Sequence, residues 1–454
     1  MLCLSDSIRQ DDLCVQHGLR AVEQAQTLTE LLLAAWSLAR VLAMHVVESV
    51  RAQRAQRPTS WPPCPGCGKR LRSKGFVKRE VTSLLGVIQW QRRVGRCPKG
   101  CDIGQIAPLD EALGVQPHQR SSAELQYLGC TLAVFVPFAT AARLLRWYSA
   151  TSVSPRAVWA WVQAAGKRAI AELQTQLDEV ARGEQPVPER LEADLAIAPR
   201  AIGADGVMVP FRPQAGQTRG KTRWHEIKVG ILARLGQHRT RTGQRVTRLY
   251  HRRLVAVWGD IDTFKPRLWL AALRQGLLSA SEVVWLSDGG RGLWRLYDER
   301  FAAHARGILD FYHAAQNVWK GAAAWRDGRT TQARRWFGWA RHRLRHSAPD
   351  GVLGDLAEAL EVETLPDHAR ETLVKVYEYL ERHRDHIDYA TYKALGLPIG
   401  SGMVESACKW LIQQRCKGVG MRWSETGFDH LLPLRLAWVN GSFDALFQLG
   451  PSPN

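Results

Sequence analysis

Between residues 186 and 315 the apolar pattern restricts the fold more than any other stretch of the chain. "RAIGADGVMVPF", "WHEIKVGILARL" and "TRLYHRRLVAVWG" follow one another as strand-like segments. "FKPRLWLAALRQGLL" then carries a helical period, "SEVVWLS" reads as a buried strand, and "GLWRLYDERFA" as helix again. Strands in a run, then alternating with helices, predict a mixed α/β sheet.

The flanks read differently. Residues 1–57 form an N-terminal helical region, with a helix expected over 19–57 from Leu28, Leu31, Leu32, Ala35, Trp36, Ala39 and Leu42. Residues 58–110 switch to short β-like pieces, "KGFVKREVTSL" and "GVIQWQRRVGRC", between Cys64-x-x-Cys67 and Cys97-x-x-x-Cys101. Two thiolate pairs separated by a hairpin-sized stretch form a soft ligand set that suits structural Zn²⁺. This predicts a zinc-ribbon-like module, although four free thiols in a small β unit would give the same spacing.

Residues 111–185 return to helix, and "PFATAARLLRWYSATSVSPRAVWAWVQAAGKRA" resembles a helix-turn-helix. The second helix starts at Ser154 as N-cap and Pro155 at the first helical position. Arg156 would then lie where recognition helices touch base edges, with Arg143, Arg146, Lys167 and Arg168 placed for phosphates. An ordinary helical hairpin with solvated arginines is the competing reading. Residues 311–394 are expected to be almost entirely helical, and 395–454 to complete the core begun at 186–310.

Charge narrows the partner. The 454 residues hold 62 Lys and Arg against 43 Asp and Glu, a net +19 that favours a polyanion such as nucleic acid. The apolar run "LLLAAW" falls far short of a membrane span, and Asp6, Asp11 and Asp12 argue against a signal peptide. A soluble cytoplasmic protein is expected, with its remaining cysteines as free thiols.

Three carboxylates occupy positions suited to divalent cations: Asp205 in "AIGADGVMV", Asp288 after "EVVWLS", and Glu405 in the first turn of the helix opened by "GLPIGSGMVESACKW". A pair of Mg²⁺ ions needs acids from different elements, and would stabilise the attacking and leaving oxygens of a phosphodiester. Each acid alone also has a plain reading: a hairpin turn at "ADGV", a turn-forming Asp at "SDGG", and a Glu complementing a helix dipole.

"ADGVMVP", "WHEIKVG", "LSDGGRGLW", "ILDFYHAAQNVW" and "GLPIGSGMVESACKWLIQQRCKGVGMRW" resemble, in this order, blocks of bacterial insertion-sequence DDE transposases of the ISKra group, in the Mutator-like branch. The resemblance covers roughly 200–445. It implies a ribonuclease H-like core interrupted by a helical insertion at 311–394, with Asp205, Asp288 and Glu405 holding catalytic Mg²⁺ or Mn²⁺. It also marks Asp310-x-x-His313 as similar to a signature of this branch and an accessory to the active site; Asp310 as an N-cap beside a buried His313 is the plain reading.

Lys409, Arg415 and Lys417 would follow the DNA backbone, and His225 and Glu226 are weaker candidates. The implied activity is cleavage and strand transfer at element ends. Terminal inverted repeats and target duplex would be the partners of a homodimer or larger multimer in the bacterial cytoplasm, nucleoid-associated and away from membranes. A catalytically silent DNA-binding regulator and a nuclease that does not join ends are the alternatives.

Overall fold

Thr27 decides how the chain starts to fold. Its hydroxyl accepts from the Glu30 backbone N–H and its own N–H donates to the Glu30 carboxylate, both at 3.2 Å, a reciprocal capping box that opens a new helix. The single helix expected over 19–57 is therefore two, Leu13–Glu23 and Leu28–Gln56. The computed structural model describes residues 12–149, 151–191, 193–213, 221–243 and 245–447. It divides into two compact units, one running to Val162 and including Phe447, the other spanning Gln163–Leu446.

In the first unit, none of the residues of helix Leu28–Gln56 is buried. By length and composition this helix is long and apolar enough to cross a membrane. That departs from the expectation drawn from "LLLAAW": the apolar character continues past Trp36, with Arg40 the one formal charge between Leu31 and Val47. Strands β1 (Arg72–Ser83) and β2 (Gly86–Arg96) pair as an antiparallel hairpin. Asp110 is buried beside them, accepting from Trp90 Nε1 at 3.0 Å and from Arg92 Nε at 2.6 Å.

Helices Ala123–Phe135 and Phe138–Tyr148 follow, and a third begins at Pro155. Ser154 Oγ accepts from Ala157 N at 3.1 Å, as an N-cap does. Leu145 and Val158 are fully buried.

The second unit is built on a five-stranded sheet made of β3 (Arg200–Phe211), β4 (Arg223–Arg239), β5 (Arg245–Trp258), β6 (Val283–Ser287) and β7 (Arg306–Leu309), in the order β5-β4-β3-β6-β7. β3, β4 and β5 pair antiparallel, while β3–β6 and β6–β7 are parallel. The mixed α/β reading holds, with β7 as an addition: four residues, "RGIL", are too few to show a period.

Helix Ile261–Arg274 packs on one face of the sheet, so closely that a Cβ on Gly230 would lie 2.8 Å from Leu268 Cδ1. On the opposite face a Cβ on Gly203 would lie 2.8 Å from Met403 Cε and 3.3 Å from Val404 Cβ. That helix runs over Gly402–Ala407, widens into a π turn at Cys408–Gln413 and ends at Gln414–Cys416. The segment after β7 is helical as expected, with Phe311–Arg326, Thr331–His346, Asp350–Leu360 and Asp367–Arg382 packed around Val318, Leu356, Leu373 and Val376.

Arg234 on β4 is 1% exposed and donates to the carbonyls of Leu195, Ala196 and Gln275. Arg234→Ala strands those carbonyls and removes a packed side chain, so it lowers stability by about 3 kcal/mol. Urea denaturation checks this, the midpoint falling with an unchanged slope.

Candidate active site and a four-thiol cluster

Strand register lines up three aspartates. Ala204 pairs with Ser287 across β3–β6, and Ser287 with Leu309 across β6–β7. The next residue on each path is Asp205, Asp288 and Asp310, so the three form one row across neighbouring strands spaced ~4.8 Å apart. β3 continues unbroken through Asp205 to Phe211, so "ADGV" is strand and not a hairpin turn.

Burial pushes the Asp205 carboxyl above the usual carboxylate range, and the charges of Asp288 and Glu226 add to it; the Gly206 N–H, at 2.7 Å, and His313 act the other way. Asp288 Oδ1 accepts from Gly290 N at 3.0 Å, and Trp294 Nε1 donates to the Asp288 carbonyl at 2.7 Å. Gly289 has no room for a side chain, because a Cβ there would overlap the Tyr379 ring.

Glu405 stands in the first turn of the helix packed over Gly203, 63% exposed, and accepts from Lys409 Nζ at 2.6 Å. The buried Cys408 beside it is pushed up to about 12, first by burial and then by the charges of Asp205 and Glu405. One thiol thus stands in the field of both acids. Nothing in the sequence signals that Cys408 lies beside the acids or that the Tyr379 ring closes over Gly289.

Asp310 is 2% exposed and caps helix Phe311–Arg326. Its Oδ1 accepts from His313 N at 2.7 Å and interacts with His313 Nδ1 at 3.0 Å, while Oδ2 accepts from Ser401 N. Burial works against the charged carboxylate, yet these hydrogen bonds hold it down to about 2. His313 is half exposed, and its pKa is raised by the hydrogen bond to Asp310 and further by the charges of Asp310, Asp288 and Asp205. His225 sits edge-on to Phe211, with ring centroids 4.9 Å apart, and Glu226 pairs with Lys228 at 2.7 Å.

The expected basic contacts separate. Arg143, Arg146, Arg156, Lys167, Lys409 and Lys417 are exposed. Arg146 also donates to Ser152 Oγ at 3.1 Å, and Arg168 to the Leu446 carbonyl at 3.4 Å. Arg415 is a correction: it is 2% exposed, with its guanidinium 5.0 Å from the Trp423 ring centroid, and burial lowers it to about 10. That burial is at odds with the exposed, phosphate-facing position expected for it.

The sulfurs of Cys64, Cys67, Cys97 and Cys101 all lie within 4.8 Å of one another. Among the described residues this is the one group of three or more His, Cys, Asp or Glu so gathered; the three acids are more open. Cys67 Sγ and Cys97 Sγ are 3.5 Å apart, close to the ~3.8 Å edge of a tetrahedron with Zn–S bonds of ~2.3 Å. Burial disfavours the Cys97 thiolate, but the N–H groups of Cys101 and Lys99 and the thiols of Cys67 and Cys64 outweigh it and lower Cys97 to about 6. The cluster could hold a metal ion, and four soft thiols fit Zn²⁺.

No family model matches the chain. It is 24% identical over 380 residues to a Streptococcus gallolyticus protein described as "UPF0236 protein in vanSb 3′ region", covering 82% of this chain and 74% of that protein. Among solved structures it overlaps the "Drosophila P element transposase strand transfer complex" with TM-score 0.34 and 10% identity, over 74% of this chain and 95% of the other. At that score the fold rests on the strand order itself.

Proposed function

We propose that the chain is a DDE transposase of the insertion-sequence type, which cleaves DNA at element ends and joins the freed 3′ end to target DNA. One observation carries this reading: Asp205 and Asp288 are register neighbours on adjacent strands, and the helix bearing Glu405 packs on the same strand as Asp205. The order β5-β4-β3-β6-β7, three antiparallel strands followed by two parallel ones, agrees with a ribonuclease H-like core. The resemblance of the sequence blocks supplies the reaction type.

Asp205, Asp288 and Glu405 would hold Mg²⁺ or Mn²⁺, which when bound supplies Lewis-acid stabilisation of the attacking and leaving phosphodiester oxygens. For Glu405 this means exchanging its Lys409 partner for the metal, which leaves the ammonium available to a backbone phosphate. Zn²⁺ would occupy the four-cysteine cluster and fix the β1–β2 hairpin. Incubating the protein with end-containing duplex and Mg²⁺, then resolving nicked and joined products, tests the proposal. Nicking without joining supports a nuclease, and binding without either supports a regulator.

A second expected result follows from Asp205. Because its folded carboxyl is raised, its contribution to stability is present below the unfolded value of about 3.9 and is lost as pH rises through the folded value. At neutral pH the ionised group therefore costs stability until a cation offsets it. Mg²⁺ or Mn²⁺ at about 100 times Kd raises stability by about 2.7 kcal/mol, a Tm increase of roughly 5 °C. Asp288→Asn removes the increase. A melt unchanged by either cation counts against the site.

A further inference from the structure

Asp310 stands in the row with Asp205 and Asp288, yet its oxygens are already engaged. Oδ1 takes the His313 N–H and faces the His313 ring, and Oδ2 takes the Ser401 N–H. Two backbone hydrogen bonds reinforce the junction, from Asp310 N to the Ser287 carbonyl at 2.9 Å and from Phe311 N to the Ile399 carbonyl at 2.9 Å. Gly400 between them is closed in by Tyr312, whose Cε2 would lie 2.9 Å from a Cβ there. The loop 399–401 leads directly into the helix that starts at Gly402 and carries Glu405.

We propose that Asp310 is a positioning residue: it latches the loop in front of Glu405 to the end of β7, and holds Glu405 in register with the Asp205–Asp288 pair. β7 and the loop are far apart in sequence and are joined here, and a nearly fully buried carboxylate accepting a backbone N–H is a strong, directional link. The same carboxylate fixes the His313 ring through Nδ1, leaving Nε2 for solvent or a substrate phosphate. With Oδ1 facing two His313 nitrogens and Oδ2 taking the Ser401 N–H, the latch role places Asp310 as an orienting residue outside the ion-binding set. This rests on the metal-site reading above.

Two variants test it. Asp310→Asn keeps the shape but replaces one acceptor oxygen with an amide donor. Ser401→Pro removes the donor N–H together with the Ser401 side chain that also bonds Asp310, at a position whose φ of −82° proline tolerates, and leaves Asp310 itself intact. Hydrogen exchange over residues 397–407 is measured together with the Mn²⁺ concentration giving half-maximal nicking of duplex DNA.

The expected result in both variants is at least tenfold faster exchange in that loop, with β3 and β4 amides unchanged. The Mn²⁺ requirement rises ~10–100-fold, as when a residue supporting a metal ligand is lost. Wild-type exchange together with wild-type metal requirement in both variants overturns the latch. So does an Asp310→Asn protein that loses Mn²⁺ altogether with the loop still protected, because Asp310 would then be a ligand. If the wild-type protein nicks no DNA, faster loop exchange still upholds the latch, and only the functional reading fails. If Asp310→Asn does not fold, Ser401→Pro decides the question.

Discussion

Alanine at Asp205, Asp288 or Glu405 is expected to abolish the proposed metal-dependent nicking, lowering the rate by roughly 10³-fold or more, while duplex affinity stays within about twofold. The effect on chemistry is large because each carboxylate comes from a different element, β3, the end of β6, and the helix over Gly203, and none is placed to substitute for another. Affinity survives because removing an acid from a protein of net charge +19 does not weaken attraction to phosphates. Glu405→Ala has a second signature: it frees Lys409, which is ion-paired at 2.6 Å in the parent protein. Single-turnover nicking and filter binding on one duplex read both quantities. Near-parental nicking in any one variant removes that residue from the site.

Cys97→Ser is expected to have the largest effect on stability if the cluster holds Zn²⁺ as proposed. Structural Zn²⁺ in small cysteine sites contributes about 10–16 kcal/mol of apparent binding free energy, and that energy is folding energy. The module around the cluster has little else: its buried apolar group is Cys64, Leu71 and Cys97, with Trp61, Ile103 and Ile106 packed against them. The variant is therefore expected to lose bound zinc and amide protection over 61–106, while the sheet of the second unit keeps its own. Metal analysis with segment-resolved hydrogen exchange checks this. A parent protein that carries no zinc, together with unchanged protection in Cys97→Ser, would show that the cluster is four free thiols.

Much of the local structure was written in short patterns. Ser154-Pro155 starts a helix where the cap and fixed proline φ require it, and two cysteine pairs flank a hairpin that brings their sulfurs together. The Thr27-x-x-Glu30 box was equally legible, and it breaks a helix that the apolar period alone runs together. Asp205 shows the limit of such patterns. "ADGV" satisfies a turn and a strand equally well, and only pairing with β4, which continues past Ala204 where the β6 pairing ends, selects the strand.

What the sequence determined by itself was most of the elements, the two spaced cysteine pairs and the excess positive charge, because capping, periodicity and composition act over a few residues or over the whole chain. The tertiary structure alone decided that Asp310 joins the row of Asp205 and Asp288, that Ser401 is tied to it, and that Arg415 lies beneath Trp423. Register between strands and burial of a side chain depend on partners tens to hundreds of residues away, and a strand as short as "RGIL" has no period of its own.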